Sequence, residues 1–252
     1  MSNELWNVKF IVHRQRKDQP SRLEAFNLEI SPEEYVLDGV EKIWAFHDRS
    51  LNFRHACHHS TCGACGMVVN GVEKLTCITK IKDVTEDGGT IKVEPLRNFP
   101  VLSDLVIDMT PLYTRLDMAK AKTVATLIEA PLSDSIKRAA NGSGDGEYIR
   151  LVDCIECGLC ISACPVAATD HNYLGPVVLA AMQLVGLDDA PELIEFADTA
   201  GGVWRCHSAY ECTEVCPSFV EPAWRIMDLR TQVVSKRIKK LFGSKQGASH
   251  DE

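Results

Sequence analysis

The sequence predicts an α+β protein of two domains: a small mixed sheet crossed by one helix in residues 1–103, then a mainly helical half in residues 104–252. Three observations carry this reading. The 252 residues exceed one average domain and are enough for two buried cores. Apolar residues alternate with polar ones, the period of a strand, through much of the first hundred positions. From Asp104 onward that alternation gives way to apolar residues at helical spacing. With 45% hydrophobic and 25% charged residues the composition is that of an ordinary globular protein, and a formal charge of −8 argues against a general nucleic-acid binder, which needs a basic face.

Taken in chain order, Val8, Phe10 and Val12 form one face of a first strand, and Phe26, Leu28 and Ile30 one face of a second, with Asp18 to Pro20 as the turn between them. Asp38 followed by Glu41 resembles a capping box, and Val36, Val40, Ile43 and Trp44 give the inner face of a short helix ending near Arg49. Met67 to Val69, the turn pair Asn70-Gly71 and Val72 to Cys77 read as a hairpin, and Thr90 to Glu94 as one more strand. Pro95 to Ser103 is the expected boundary. Helical patterns follow over 104–120, 175–187 and 220–241, with a loop at 141–146. Val177 to Val185 is apolar nearly all round and is expected to be buried. Val233 to Leu241 is a basic amphipathic stretch, read first as a solvated helix face and second as a contact for anionic headgroups or a partner subunit. Gly175 to Leu187, the longest apolar run, is too short and interrupted to span a bilayer, which needs roughly 20 residues. The N-terminus lacks the pattern of a secretory signal, so a reducing, cytoplasmic setting is expected.

Eleven cysteines are the outlier, and in a reducing setting clustered thiols point to metal ligation before disulfides. They fall in three runs: C-x4-C-x2-C-x11-C (Cys57, Cys62, Cys65, Cys77), C-x2-C-x2-C-x3-C-P (Cys154, Cys157, Cys160, Cys164) and C-x5-C-x3-C-P (Cys206, Cys212, Cys216). The first is close to the plant-type 2Fe-2S spacing, and Gly63, Ala64 and Gly66 leave room for backbone N–H groups to approach cluster sulfur. The second is the bacterial ferredoxin motif, whose fourth cysteine serves the other cluster of a pair. Aligned on that template, the third run has Ala209 where its second thiolate belongs. By the crossover rule Cys154, Cys157, Cys160 and Cys216 hold a 4Fe-4S cluster, while Cys164, Cys206 and Cys212 offer three thiolates, the set for a 3Fe-4S cluster. His55, His58 and His59 flank the first run and read as exposed or hydrogen-bonding neighbours of the cluster, not as ligands. Structural zinc is the competing reading, but seven thiolates do not divide into closed four-ligand sites. With no phosphate-binding loop, dinucleotide fingerprint or nucleophile triad, substrate chemistry on this chain alone is not expected.

The order of these runs, with CIECGLCISACP (154–165), CHSAYECTEVCP (206–217) and NFPVLSDLVIDM (98–109), resembles the iron–sulfur subunit of succinate dehydrogenase and fumarate reductase over almost the whole chain. The resemblance implies a β-grasp 2Fe-2S ferredoxin domain followed by an all-α helical ferredoxin domain. It also implies a relay between a FAD-containing flavoprotein subunit and a quinone held by membrane-anchor subunits, with or without haem. The 2Fe-2S cluster would lie toward the flavin and the 3Fe-4S cluster toward the quinone, and the chain would be peripheral on the cytoplasmic face of the cell membrane, held by its partners. Pro165 and His207 match family positions near the quinone. Two departures stand out. His58 and Ser60 occupy positions where the family commonly has Arg and Gly, and Val166-Ala-Ala-Thr169 replaces the tryptophan pair of many ubiquinone-using members, a lean toward menaquinone. An iron–sulfur relay for another flavin oxidoreductase, of 2-hydroxy-acid or heterodisulfide type, is the alternative.

Overall fold

The computed structural model describes residues 5–17, 19–119, 153–185 and 191–243. Strands β1 (Trp6–Arg14) and β2 (Arg22–Ile30) pair antiparallel from Trp6 opposite Ile30 to Arg14 opposite Arg22. With β3 (Gly66–Val69), β4 (Val72–Leu75) and β5 (Thr90–Glu94) they form a five-stranded sheet in the order β2-β1-β5-β3-β4. The β1–β5 pair is parallel and the other pairs are antiparallel, so the sheet is mixed, as a β-grasp fold requires. Asn70 and Gly71, both at positive φ, close the expected β3–β4 hairpin with the twist that two-residue turns favour.

Helix α1 (Val36–Lys42) lies across the sheet, with Val36, Val40 and Ile43 in one core with Val8, Phe10, Val12, Ile30, Ile91 and Val93. It approaches so closely at Gly39 that an added Cβ would come within 2.3 Å of the Phe10 ring. The cap sits one frame earlier than expected: the Asp38 carboxylate accepts the Tyr35 N–H at 2.8 Å, so Asp38 closes the first turn from within. The helix runs into a π-helical turn at Ile43–His47, whose wider pitch rotates Trp44 off the inner face, leaving it exposed.

Over 104–120 the expected helix is replaced at its start by a hairpin. Strands β6 (Val101–Ser103) and β7 (Val106–Ile107) turn at Asp104, which has φ of 49°, and α2 spans only Thr110–Met118. Tertiary bonds override the helical spacing, because the Asp104 carboxylate accepts backbone N–H groups of Gln15 and Asn52 and pairs with the buried Arg14. Leu105 packs in the sheet core, whereas Ile107 and Met109 pack in the second core.

That second core holds α3 (Leu159–Ser162), α4 (Pro165–Thr169), α5 (Pro176–Val185), α6 (Pro191–Ala197), α7 (Glu211–Glu214) and α8 (Pro222–Gly243). Helix α5 is buried along Val177 to Gln183, as its all-round apolar character requires. Helix α8 buries Ala223, Ile226, Leu229 and Val233 together with Arg225, while its C-terminal basic residues face solvent, where Arg237 donates two hydrogen bonds to Asp198. The loop expected at 141–146 lies outside the described residues. Among the described residues no helix is long and apolar enough to cross a membrane.

Candidate iron–sulfur sites

The loop from π turn to β3 gathers the first cysteine run against β4's end. Cys57 Sγ accepts the backbone N–H groups of Thr61 at 3.3 Å, Cys62 at 3.4 Å and His59 at 3.5 Å. These donors, His59 foremost, lower the Cys57 thiol to about 6, poised as a thiolate near neutral pH. Cys77, its Sγ accepting the Ser60 N–H at 3.4 Å, is instead raised to about 12 by burial and by the adjacent Cys65 thiol. The loop achieves this with His58, Ser60 and Gly63 at positive φ of 59°, 61° and 69°. Gly63 is the position where no side chain fits, since a Cβ there would lie 2.7 Å from that of Cys157. The first loop therefore rests directly on the second run.

Cys154, Cys157, Cys160 and Cys216 line one cavity, closed by Val177, Ala180, Ala181 and Val220. Burial raises Cys154 to about 11 and Cys157 to about 12 and pushes Cys160 up strongly, so thiols held neutral face one apolar space, and only a bound cation would stabilise their thiolate forms there. Cys164, Cys206 and Cys212 line a second cavity with Ala209, Tyr173, Pro165 and His207. The two runs share a backbone trace. Two residues past the first cysteine, Glu156 and Ser208 have φ of 52° and 57°; four past it, Gly158 and Tyr210 have φ of 83° and 64°; each run then enters a short helix, α3 or α7. Ala209 thus stands at the same loop position as Cys157.

The sequence matches the family described as "2Fe-2S iron-sulfur cluster binding domain" over residues 9–114 and that described as "4Fe-4S dicluster domain" over residues 150–220. It is 34% identical to the fumarate reductase iron–sulfur subunit of Mycobacterium tuberculosis, over 91% of this chain and 93% of that protein. It is 30% identical to the corresponding subunit of Haemophilus influenzae, over 88% and 90%. The chain belongs to the iron–sulfur subunit family of fumarate reductases and succinate dehydrogenases. An 8-methylmenaquinol:fumarate reductase iron–sulfur subunit from Wolinella succinogenes is 32% identical over 75% of this chain and 60% of its own length. The fold is that of a chain in the Mycobacterium smegmatis Sdh1 complex, with a TM-score of 0.74, 24% identity and coverage of 93% of this chain and 98% of that one. As a family member the protein is an electron-transfer subunit of such a complex, built from a 2Fe-2S domain and a helical 4Fe-4S domain.

Two features of these sites escaped the sequence. Asn98, at φ of 64°, donates its amide to the carbonyls of Ile161, Ser162 and Cys164 at 2.8, 3.0 and 3.1 Å, capping α3 from the first half of the chain. Beside it the Ser162 hydroxyl donates to buried Glu73 at 2.7 Å and accepts the Arg97 N–H at 2.8 Å. Tyr173 is the other. It is buried, its hydroxyl makes no well-formed hydrogen bond and has only the Cys206 sulfur as a neighbouring acceptor, and it lines the cavity of Cys164, Cys206 and Cys212. A buried phenol facing only a weak thiol acceptor is incompletely satisfied, and an unsatisfied group costs about 1–3 kcal/mol unless something in that cavity accepts it. Only its position in the fold could reveal this, because Tyr173 carries no motif of its own.

Proposed function

We propose that the protein relays electrons between a FAD-containing succinate dehydrogenase or fumarate reductase subunit and a membrane quinone. Cys57, Cys62, Cys65 and Cys77 hold a 2Fe-2S cluster, Cys154, Cys157, Cys160 and Cys216 a 4Fe-4S cluster, and Cys164, Cys206 and Cys212 a 3Fe-4S cluster. The observation that supports this most is the sorting of eleven free cysteines into three thiol-lined sites, with Ala209 at the loop position where the third would otherwise have its fourth ligand. A methyl group cannot ligate iron. The Tyr173 hydroxyl beside Cys206 suits the same site, because sulfur of a bound cluster is a stronger acceptor than a neutral thiol.

When bound, the clusters supply one-electron redox centres that accept singly the two electrons a flavin gives up. The chain's own residues keep these centres close together. Gly63 seats the first site against Cys157, and Val177, Ala180 and Ala181 of α5 wall the second with apolar side chains. Pro165 and His207 border the third and are assigned as quinone-side residues. The anchor subunits and the flavoprotein are the partners, and the chain sits at the cytoplasmic membrane surface through them.

The test is EPR of the anaerobically purified native complex, with iron and acid-labile sulfide assayed together. The expected result is a 3Fe signal when oxidised and a 2Fe-2S signal with a coupled 4Fe-4S signal after dithionite. Ala209→Cys is expected to add one iron and abolish the oxidised 3Fe signal. An unchanged iron count and spectrum in that variant would refute the vacant-corner assignment.

A further inference from the structure

We propose that Glu41, His55 and His58 form a binding site for a divalent cation of the zinc class, separate from the cysteines. His55 Nδ1 and His58 Nε2 are 3.0 Å apart, and Glu41 Oε1 lies 3.2 Å from the first and 3.3 Å from the second. Three donors around a tetrahedral ion at about 2.0 Å are separated by about 3.3 Å, so this near-equilateral triangle has the dimensions of one tetrahedral face. Two imidazoles and one carboxylate suit zinc and its neighbours in the first transition row, not calcium or magnesium, which take oxygen sets.

One oxygen of the carboxylate is left unsatisfied. Glu41 Oε1 is sealed from solvent and has no hydrogen-bond partner, although both ring nitrogens stand within ion-pair distance. An acceptor in that condition is costly, and a cation at the triangle's centre satisfies it. Each ligand is also held from behind. Glu41 sits in the last turn of α1, just before the π turn at Ile43–His47. The His55 ring stacks on Phe53 with centroids 5.1 Å apart and planes at 19°, and His58 is turned toward it by a backbone φ of 59°, the two histidine rings standing at 87°. A recess of about 530 Å³, bordered by Trp44, Ala45, Leu51, Asn52 and Phe53, opens over the three groups and leaves a fourth position for water or a donor from a neighbouring subunit. Because His58 adjoins Cys57, an ion here pins the first cluster loop to α1 across the gap between them.

The native complex, equilibrated with micromolar zinc in chelator-free buffer and desalted, is analysed for zinc, iron and labile sulfide and by zinc-edge X-ray absorption. The expected result is one bound zinc per chain above the full iron content, with a nitrogen and oxygen shell at about 2.0 Å. In the His55→Ala/His58→Ala double variant the zinc is lost while iron and sulfide are kept; in Glu41→Gln, which preserves shape, zinc affinity falls more than tenfold. No retained zinc in the wild type, zinc undiminished in the double variant, or a sulfur shell at about 2.3 Å marking ions seated on cysteines would each overturn the proposal. The iron and sulfide counts report on the electron-relay reading separately, so failure of one does not imitate failure of the other.

Discussion

The two halves of the chain prepare thiols for metal in opposite ways. In the sheet half, Cys57 lies on a half-exposed loop where three backbone N–H groups converge on its sulfur and lower it to about 6. In the helical half, Cys212 is buried and Cys157 half-buried among apolar side chains, and both are raised to about 12 by desolvation. At the first site Cys57 is organised as an anion receptor before metal arrives, beside a Cys77 that burial raises to about 12. The second is a neutral pocket in which the thiolate form depends on the cation that draws it out. Backbone donors favour the thiolate at Cys57, whereas hydrophobic enclosure disfavours it at the second site until metal binds, and the two should respond differently to damage.

The sharpest way to break the first half is through the buried pair beneath its loop. Arg14 and Asp104, 1% and 0% exposed, join β1 to the β6–β7 turn, and Arg14 also reaches Asp48 at 2.5 Å and the Ser50 hydroxyl at 2.9 Å on the approach to the cluster loop. Asp104→Ala leaves Arg14 undercompensated and orphans two N–H groups, and should destabilise the sheet half by about 3–5 kcal/mol. Denaturant titration should show loss of the 2Fe-2S absorption well before the helical half unfolds.

A smaller effect is expected where the halves meet. Gly63→Ala forces a side chain onto Cys157 at φ of 69°, a strain of about 1–3 kcal/mol. Rapid-freeze EPR should find both adjacent clusters assembled but the transfer between them slowed, and unchanged rates would show that the contact does not set their spacing. Within the helical half, Tyr173→Phe removes one hydroxyl. If that hydroxyl donates to cluster sulfur, the loss of about 0.5–1.5 kcal/mol lowers the 3Fe-4S potential by about 20–60 mV with no change in iron content, as redox titration would read. An unshifted potential would detach Tyr173 from the cluster.

The smallest expected effect is a pH dependence confined to the sheet half. Asp48 is held well below the usual carboxylate range by the Ser50 hydroxyl, by Arg14 and by the Ser50 N–H. A depressed folded-state value means its contribution is whole above the unfolded value, about 4, and is lost as pH falls toward the folded one. The stability gap between wild type and Asp48→Asn should be constant from pH 7 to 5 and close below pH 4. A gap that stayed open in acid would assign Asp48 no such part.

Much of the sheet half was legible because alternation with period two leaves one solution for which face is buried, as Val8, Phe10 and Val12 illustrate. Arg14 continues that face, yet its charge argues for solvent until Asp104, ninety positions away, is brought beside it. Asp104 also explains the hairpin that replaced the start of the expected helix. The α3 cap offered by Asn98 and the meeting of Glu41 with His55 and His58 were hidden for the same reason, since each joins segments that no local pattern connects.

Residue identity and spacing alone determined the inventory of this protein: its two-part order, its three cysteine runs, the missing thiolate at Ala209 and the helix that must be buried. Those properties are local, because each ligand run, from Cys57 to Cys77, from Cys154 to Cys164 and from Cys206 to Cys216, and each apolar period lies within one short stretch of chain. The tertiary structure decided which buried charges find partners, where a buried hydroxyl or carboxylate points, and how closely the first loop approaches Cys157. These depend on desolvation and on packing distances of a few ångströms between distant segments, which only the folded chain establishes.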